Sequence, residues 1–126
     1  MITWSSGELD KIGEADELEI QSLRRDGTLR EPVTIWVVRI GDHLYVRSVK
    51  GRSGPWFRGT QTRCEGRIRS GGVEKDVMFV DQSDPQVNQQ IDAAYREKYR
   101  SYPNEYVDAC LTPEARASTL KLVPRV

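Results

Sequence analysis

The chain has 126 residues, 37% hydrophobic and 30% charged, with 19 basic side chains balancing 19 acidic ones; that size and surface-rich make-up fit one domain, expected to span 1–126. No apolar run approaches the ~20 residues of a membrane span, and Met1–Gly7 lacks the basic and apolar regions of a secretory leader, so the chain is expected to be cytoplasmic. One His and two scattered Cys exclude a zinc site, and Cys64 and Cys110, without a CxxC partner, are expected to be free thiols.

Along the chain, Ser5-Ser6-Gly7-Glu8 has capping-box spacing and starts a short helix to about Ala15, with Leu9 and Ile12 inward. Glu17–Leu23 alternates as a half-buried strand, and Arg24-Arg25-Asp26-Gly27 supplies a turn. The strongest signal is Thr34–Val49, two β-branched and aromatic runs flanking Gly41-Asp42, which predicts a type II′ hairpin. That loop sets Ile40 against His43, Val38 against Tyr45 and Trp36 against Arg47. Both faces of its first strand are apolar, so a central position in a sheet or barrel is expected. Lys50–Pro55 reads as a loop and Trp56–Arg63 as a short helical turn. Cys64–Ser70 and Val73–Val80 form a second hairpin about Gly71-Gly72. Asp84-Pro85 starts a helix whose Val87, Ile91, Tyr95 and Tyr99 recur every four residues as an apolar stripe. Asn104–Cys110 is a further short helix, and Thr112-Pro113-Glu114 caps a turn before a last strand, Thr119–Val123. The fold class is therefore mainly β with α, about six antiparallel strands with flanking helices, the last strand closing a barrel.

The zero net charge hides a gradient. Residues 1–23 carry six acids and one base, residues 24–75 twelve bases and five acids, and residues 76–126 eight acids and six bases. A positive middle favours an anionic ligand, and the competing reading is that individual Arg residues pair with the acidic ends. His43 flanks a turn and reads as an exposed residue, and no triad, P-loop or GxGxxG pattern is present. Guanidiniums match phosphate bidentately, and the glycines of Lys50-Gly51 and Ser53-Gly54 let amides approach an anion. Trp36, Trp56 and Phe57 offer flat surfaces for a ring. The expected partner is a small molecule, while nucleic acid fits the charge but lacks a recognition motif.

The Arg24-Arg25 turn, Pro32, the Trp36-centred strand, Tyr45-Val46-Arg47-Ser48, Lys50-Gly51 and Pro55-Trp56-Phe57-Arg58, in that order, resemble a bacterial domain-of-unknown-function family from about Leu18 to Pro124. That family is similar to the deazaflavin-dependent nitroreductases, which share the split β-barrel of flavin-binding oxidases of the pyridoxamine-phosphate type. The resemblance implies a small split β-barrel binding a reduced deazaflavin or FMN, with no metal. It assigns cofactor phosphates to Arg24, Arg25, Lys50 with Gly51, and Arg58, and the ring to the neighbourhood of Trp36, Tyr45, Arg47 and Trp56. Leu23 and Asp26 stand where the relatives have glycines, and Val49 is inserted between Ser48 and Lys50. No catalytic residue is assigned. A cofactor-free binding protein, or a lyase or isomerase on the same barrel, is the alternative, and pairing of two copies is left open.

Overall fold

A computed structural model describes residues 3–125; Met1, Ile2 and Val126, and with them part of the leader reading and both ends of the single-domain assignment, lie outside the described residues. Ser5 accepts from the Glu8 amide while the Glu8 carboxylate accepts from the Ser5 amide, and this reciprocal cap starts helix α1, Ser6–Glu14. Strand β1, Leu18–Ser22, turns through Gly27 at φ +89° to β2, Val33–Ile35. Strands β3, Val38–Ile40, and β4, His43–Val46, follow. Gly41 has φ +58° and Asp42 is not left-handed, as a type II′ turn requires, and Val38 pairs with Tyr45 and Ile40 with His43 as the loop length dictates. A 3₁₀ turn, Gly51–Ser53, leads into helix α2, Pro55–Arg63. Strands β5, Glu65–Ser70, and β6, Val73–Asp81, are joined by Gly71-Gly72, both at positive φ. Helices α3, Pro85–Lys98, α4, Asn104–Ala109, and α5, Pro113–Ala117, precede strand β7, Leu120–Pro124.

Among the described residues the sheet has seven strands, not six, in the order β2-β1-β5-β6-β7-β4-β3, with every pairing antiparallel. The difference has one cause. The run read as a single strand, Thr34–Ile40, breaks at Trp36-Val37, so β2 pairs with β1 at one edge and β3 with β4 at the other. The run is therefore not central. Its halves form the two edges of a sheet curled until they meet, the half-open form of a split barrel. Trp36 and Arg47, expected to face each other, make no ladder pair.

The break is held from outside. The Tyr99 hydroxyl accepts from the Val37 amide at 3.1 Å and lies 3.1 Å from the Val37 carbonyl and 2.6 Å from the Asp16 carbonyl. Lys98 Nζ donates to that same Val37 carbonyl at 2.6 Å. The backbone groups freed by the split are thus met by the end of α3, as burial demands.

Two apolar clusters result. Inside the curl, Leu18, Ile20, Val37, Leu44, Val46, Ile68, Val77, Phe79, Leu120 and Leu122 pack on Leu9 and Ile12 of α1 and Phe57 of α2. Outside it, Val38 and Tyr45 pack on Ile91, Tyr95 and Tyr99 of α3 and on Val107 and Cys110. Consecutive residues Val37 and Val38 thus serve opposite faces, which is why this run reads as apolar on both.

Candidate functional site

Where the hairpin opens at Trp36 and Arg47 the surface is concave. A cavity of about 330 Å³ is lined by Thr34, Ile35 and Trp36 on one side, by Arg47, Val49 and Trp56 on the other, and by Tyr106, Ala109 and Cys110 of the α4 region. It shares Thr34, Ile35, Val49 and Trp56 with an adjoining cavity of about 360 Å³ that adds Ser48, Lys50, Gly54 and Pro55. The two form one groove, aromatic at one end and cationic at the other. Trp36 is fixed within it by stacking on Tyr99 at 3.8 Å between ring centroids, with planes 3° apart.

The cationic end is built by the start of α2. Gly54 is its N-cap and brings no side chain, Pro55 at the first position has no amide, and the amides of Trp56 and Phe57 have no capping partner. A Cβ on Gly54 would lie 2.6 Å from Ser48 Oγ and 3.2 Å from Lys50 Cβ, so only glycine lets these backbones close up. Gly51, at φ +72°, is buried behind them against Glu114. Helix dipole, free amides and the exposed Lys50 thus converge.

Arg47 enters the groove differently from its sequence reading. Its side chain is wholly buried and all five N–H donors are taken: Nε by Thr119 Oγ1, Nη1 by Asp92 and the Cys110 carbonyl, Nη2 by the Asn88 carbonyl and side chain, at 2.5–3.2 Å. Asp92 also takes the Arg116 guanidinium at 2.8 Å. Burial pushes the Asp92 carboxyl up, but the hydrogen bonds from Arg116 and Arg47 outweigh it and the carboxyl is held below its ordinary range. Arg47 is therefore a structural clamp behind the groove wall, with no side-chain N–H left for a phosphate. Burial pushes the Cys110 thiol up to about 11 against the opposing pull of Arg47, so it faces the groove as a neutral thiol.

The remaining residues singled out from sequence separate by position. Trp36 and Trp56 lie together in the groove, with Lys50 at its cationic end. Arg58 is exposed one turn into α2. Tyr45 is in the outer core beneath α3, 4% exposed, and does not line the groove. Arg24 and Arg25 sit in a turn at the opposite end of α2, where Gly27 lies against Arg63, and nine helical residues, about 13 Å, separate them from Lys50. Thr34, Ile35, Val49, Tyr106 and Cys110 were not singled out. The spacing of Tyr106 and Cys110, four residues apart, marks one helix face, but which way it points is set by tertiary packing. Asn88 and Asp92 share that spacing beside the apolar stripe of α3.

Half of the positive middle is neutralised internally. Arg39, Arg47, Arg52, Arg67, Arg69 and Lys75 each pair with a carboxylate. Arg24, Arg25, Arg30, Lys50, Arg58 and Arg63 have no ion pair among the described residues, and all six follow the line of α2. Arg30 packs on Gly59 and donates to Thr62 at 3.3 Å. Cys64 and Cys110 are free thiols, and no group of metal-ligating side chains occurs among the described residues. Among the described residues, no helix is long and apolar enough to cross a membrane.

A family model described as "Uncharacterized protein conserved in bacteria (DUF2255)" matches residues 8–122. No curated protein sequence is detectably similar to the chain. Among solved structures, the chain is similar to a conserved hypothetical protein from Mycobacterium tuberculosis, with a TM-score of 0.72, 12% identity and coverage of 99% of this chain and 83% of that one. It is also similar to a provisionally designated pyridoxamine 5′-phosphate oxidase from Listeria innocua, with a TM-score of 0.64, 14% identity and coverage of 94% and 90%. An F420-H2 dependent reductase gives 0.61, 12% identity and coverage of 85% and 93%. At these identities the likeness is one of fold.

Proposed function

Because the chain belongs to the bacterial DUF2255 family and is similar in fold to a protein designated a pyridoxamine 5′-phosphate oxidase and to an F420-H2 dependent reductase, we propose that its groove binds a phosphate-bearing flavin or deazaflavin and that the protein is oxidoreductase-like. The observation that carries this reading is the uncapped N-terminus of α2, opening into the groove beside Lys50 and next to two tryptophans. Free helix amides and an unpaired ammonium fit a phosphate, and the wall between Trp36 and Trp56 fits a planar ring. Lys50, the amides of Trp56 and Phe57, and Arg58 would hold the phosphate. Arg24 and Arg25 would meet only a ligand long enough to follow α2. When bound, a reduced cofactor of this class supplies hydride. The chain's own part is to orient the ring and exclude water: Trp36 is locked by Tyr99, and Arg47 is locked by Asp92, Asn88 and Thr119.

FMN and riboflavin share one ring and differ by the phosphate, so together they test the assignment. In titrations followed by flavin fluorescence, the purified chain should bind FMN at least tenfold more tightly than riboflavin, about 1.4 kcal/mol. Replacing Lys50 and Arg58 together by alanine should erase that difference and leave riboflavin binding intact. A chain that binds neither FMN nor a deazaflavin, and releases an unrelated small acid on denaturation, supports instead the cofactor-free reading of a binding protein or lyase. The aromatic end of the same groove would serve that role.

A further inference from the structure

Two tyrosines one turn apart on α3 meet the broken hairpin in opposite ways. The Tyr99 hydroxyl has three backbone partners at 2.6–3.1 Å and holds Val37. The Tyr95 hydroxyl is fully buried and has no hydrogen-bond partner. A buried hydroxyl left without a partner is destabilising and uncommon in native chains.

Its surroundings say where a partner would enter. The Arg47 Cζ lies 5.6 Å from the Tyr95 ring centroid, Cys110 and Tyr99 pack in the same cluster, and the Arg47 backbone amide is near the hydroxyl but outside hydrogen-bond geometry. Arg47 and Cys110 are also the inner wall of the groove. In a two-residue hairpin the closing pair Ile40 and His43 exchange hydrogen bonds, as do alternate pairs beyond, so Trp36 and Arg47 should exchange two. That rung is missing, and neither residue makes a backbone–backbone bond among the described residues. The orphan hydroxyl therefore belongs to a side chain packed against Arg47 and Cys110, two residues that also line the groove. The Arg47 guanidinium, with every N–H taken, cannot turn to fill it.

We propose that Tyr95 is a ligand-contact residue, its hydroxyl donating to a ring carbonyl of a planar ligand that enters between Trp36 and Arg47. The proposal rests on the reading of the groove as a flavin-type site and names the part of the ligand it recognises, the carbonyl-bearing edge of the heterocycle. The hydroxyl is sealed from solvent, so the ligand reaches it by sliding Trp36 off Tyr99 while Arg47 stays held, on the side where no rung joins Trp36 to Arg47. Water cannot compete for the hydroxyl before that happens, which makes the hydrogen bond selective for a ligand thin enough to enter the gap.

The test is Tyr95→Phe, which removes one oxygen and keeps the ring. Without ligand, the variant should be at least as stable in urea as the parent, because it loses an unpartnered oxygen. With riboflavin, which probes the ring alone, its affinity should fall about tenfold. Lower ligand-free stability of Tyr95→Phe overturns the proposal, since it reveals an internal partner. If riboflavin and FMN bind the parent and Tyr95→Phe equally, the proposal fails while the flavin reading stands. Binding of neither to the parent overturns both.

Discussion

Asp92 is 6% exposed and lies between two guanidiniums, one of them on a side chain with no exposure at all. A buried ion pair contributes little net stability when intact, because desolvation offsets attraction, but removing one partner leaves a buried charge uncompensated. Asp92→Asn should therefore destabilise the chain by about 3–5 kcal/mol in urea denaturation, the cost of breaking a buried pair. The same residue sets an acid response. Its folded carboxyl pKa lies below the unfolded value because the hydrogen bonds from Arg116 and Arg47 outweigh burial. Its contribution is thus present above the unfolded carboxylate pKa of about 3.9 and is lost as pH falls through the lower folded value. Parent stability measured from pH 6 to pH 2.5 should fall on the acid side of about pH 4, and Asp92→Asn should show a shallower fall. Equal slopes would mean that other carboxylates govern acid unfolding. Glu8, Asp26 and Glu74, also held below their ordinary range by hydrogen bonds, are the candidates.

At the scale of elements, the seam between β2 and β3 is held by α3 rather than by strand pairing. Tyr99→Phe would leave the buried Val37 amide without a partner and should cost about 1–3 kcal/mol. Amide exchange at Val37 should quicken in that variant, whereas Tyr95→Phe should leave it unchanged. Lys98 cannot replace Tyr99 here, since an ammonium donates but does not accept; it reaches only the Val37 carbonyl. The seam also shows what the sequence could and could not tell. Capping at Ser5 and Asp84, the Gly41-Asp42 register and the stripe on α3 are local signals, and the chain obeys them. The split at Trp36-Val37 has no local signal, because β-branched residues run through it and the atoms that stabilise it belong to residues about 60 positions away. The candidate site divides in the same way. Trp36, Lys50 and Trp56 lie within one sequence neighbourhood and are legible there. Tyr106 and Cys110 reach the groove only because the α4 region packs over it. The pairing of Arg47 with Asp92 joins residues 45 apart, so counting charges could not distinguish it from a free anion site.

Across the whole molecule, the two apolar clusters share one sheet. Val37 faces the inner cluster and Val38 the outer, while Leu44 and Tyr45 do the same on the neighbouring strand. Loss of either cluster strips one face from β3 and β4, whose mutual pairing extends over only three residue pairs. The barrel and its helical layer should therefore melt together, and we propose that the chain folds as one cooperative unit, as small domains generally do. The three tryptophans are placed to test this. Trp4 lies in the inner cluster with its indole N–H on the Leu122 carbonyl at 3.0 Å, Trp36 stacks on Tyr99 at the seam, and Trp56 lines the groove. Variants that each retain a single tryptophan, followed by fluorescence and by far-UV circular dichroism in urea, should share one midpoint between the two probes within each variant. A Trp36 signal that moves at lower urea than its own circular dichroism would show the helical layer leaving a barrel still intact. In that event the groove, which needs both layers, would open before the chain unfolds, and ligand binding should raise the Trp36 midpoint more than that of Trp4.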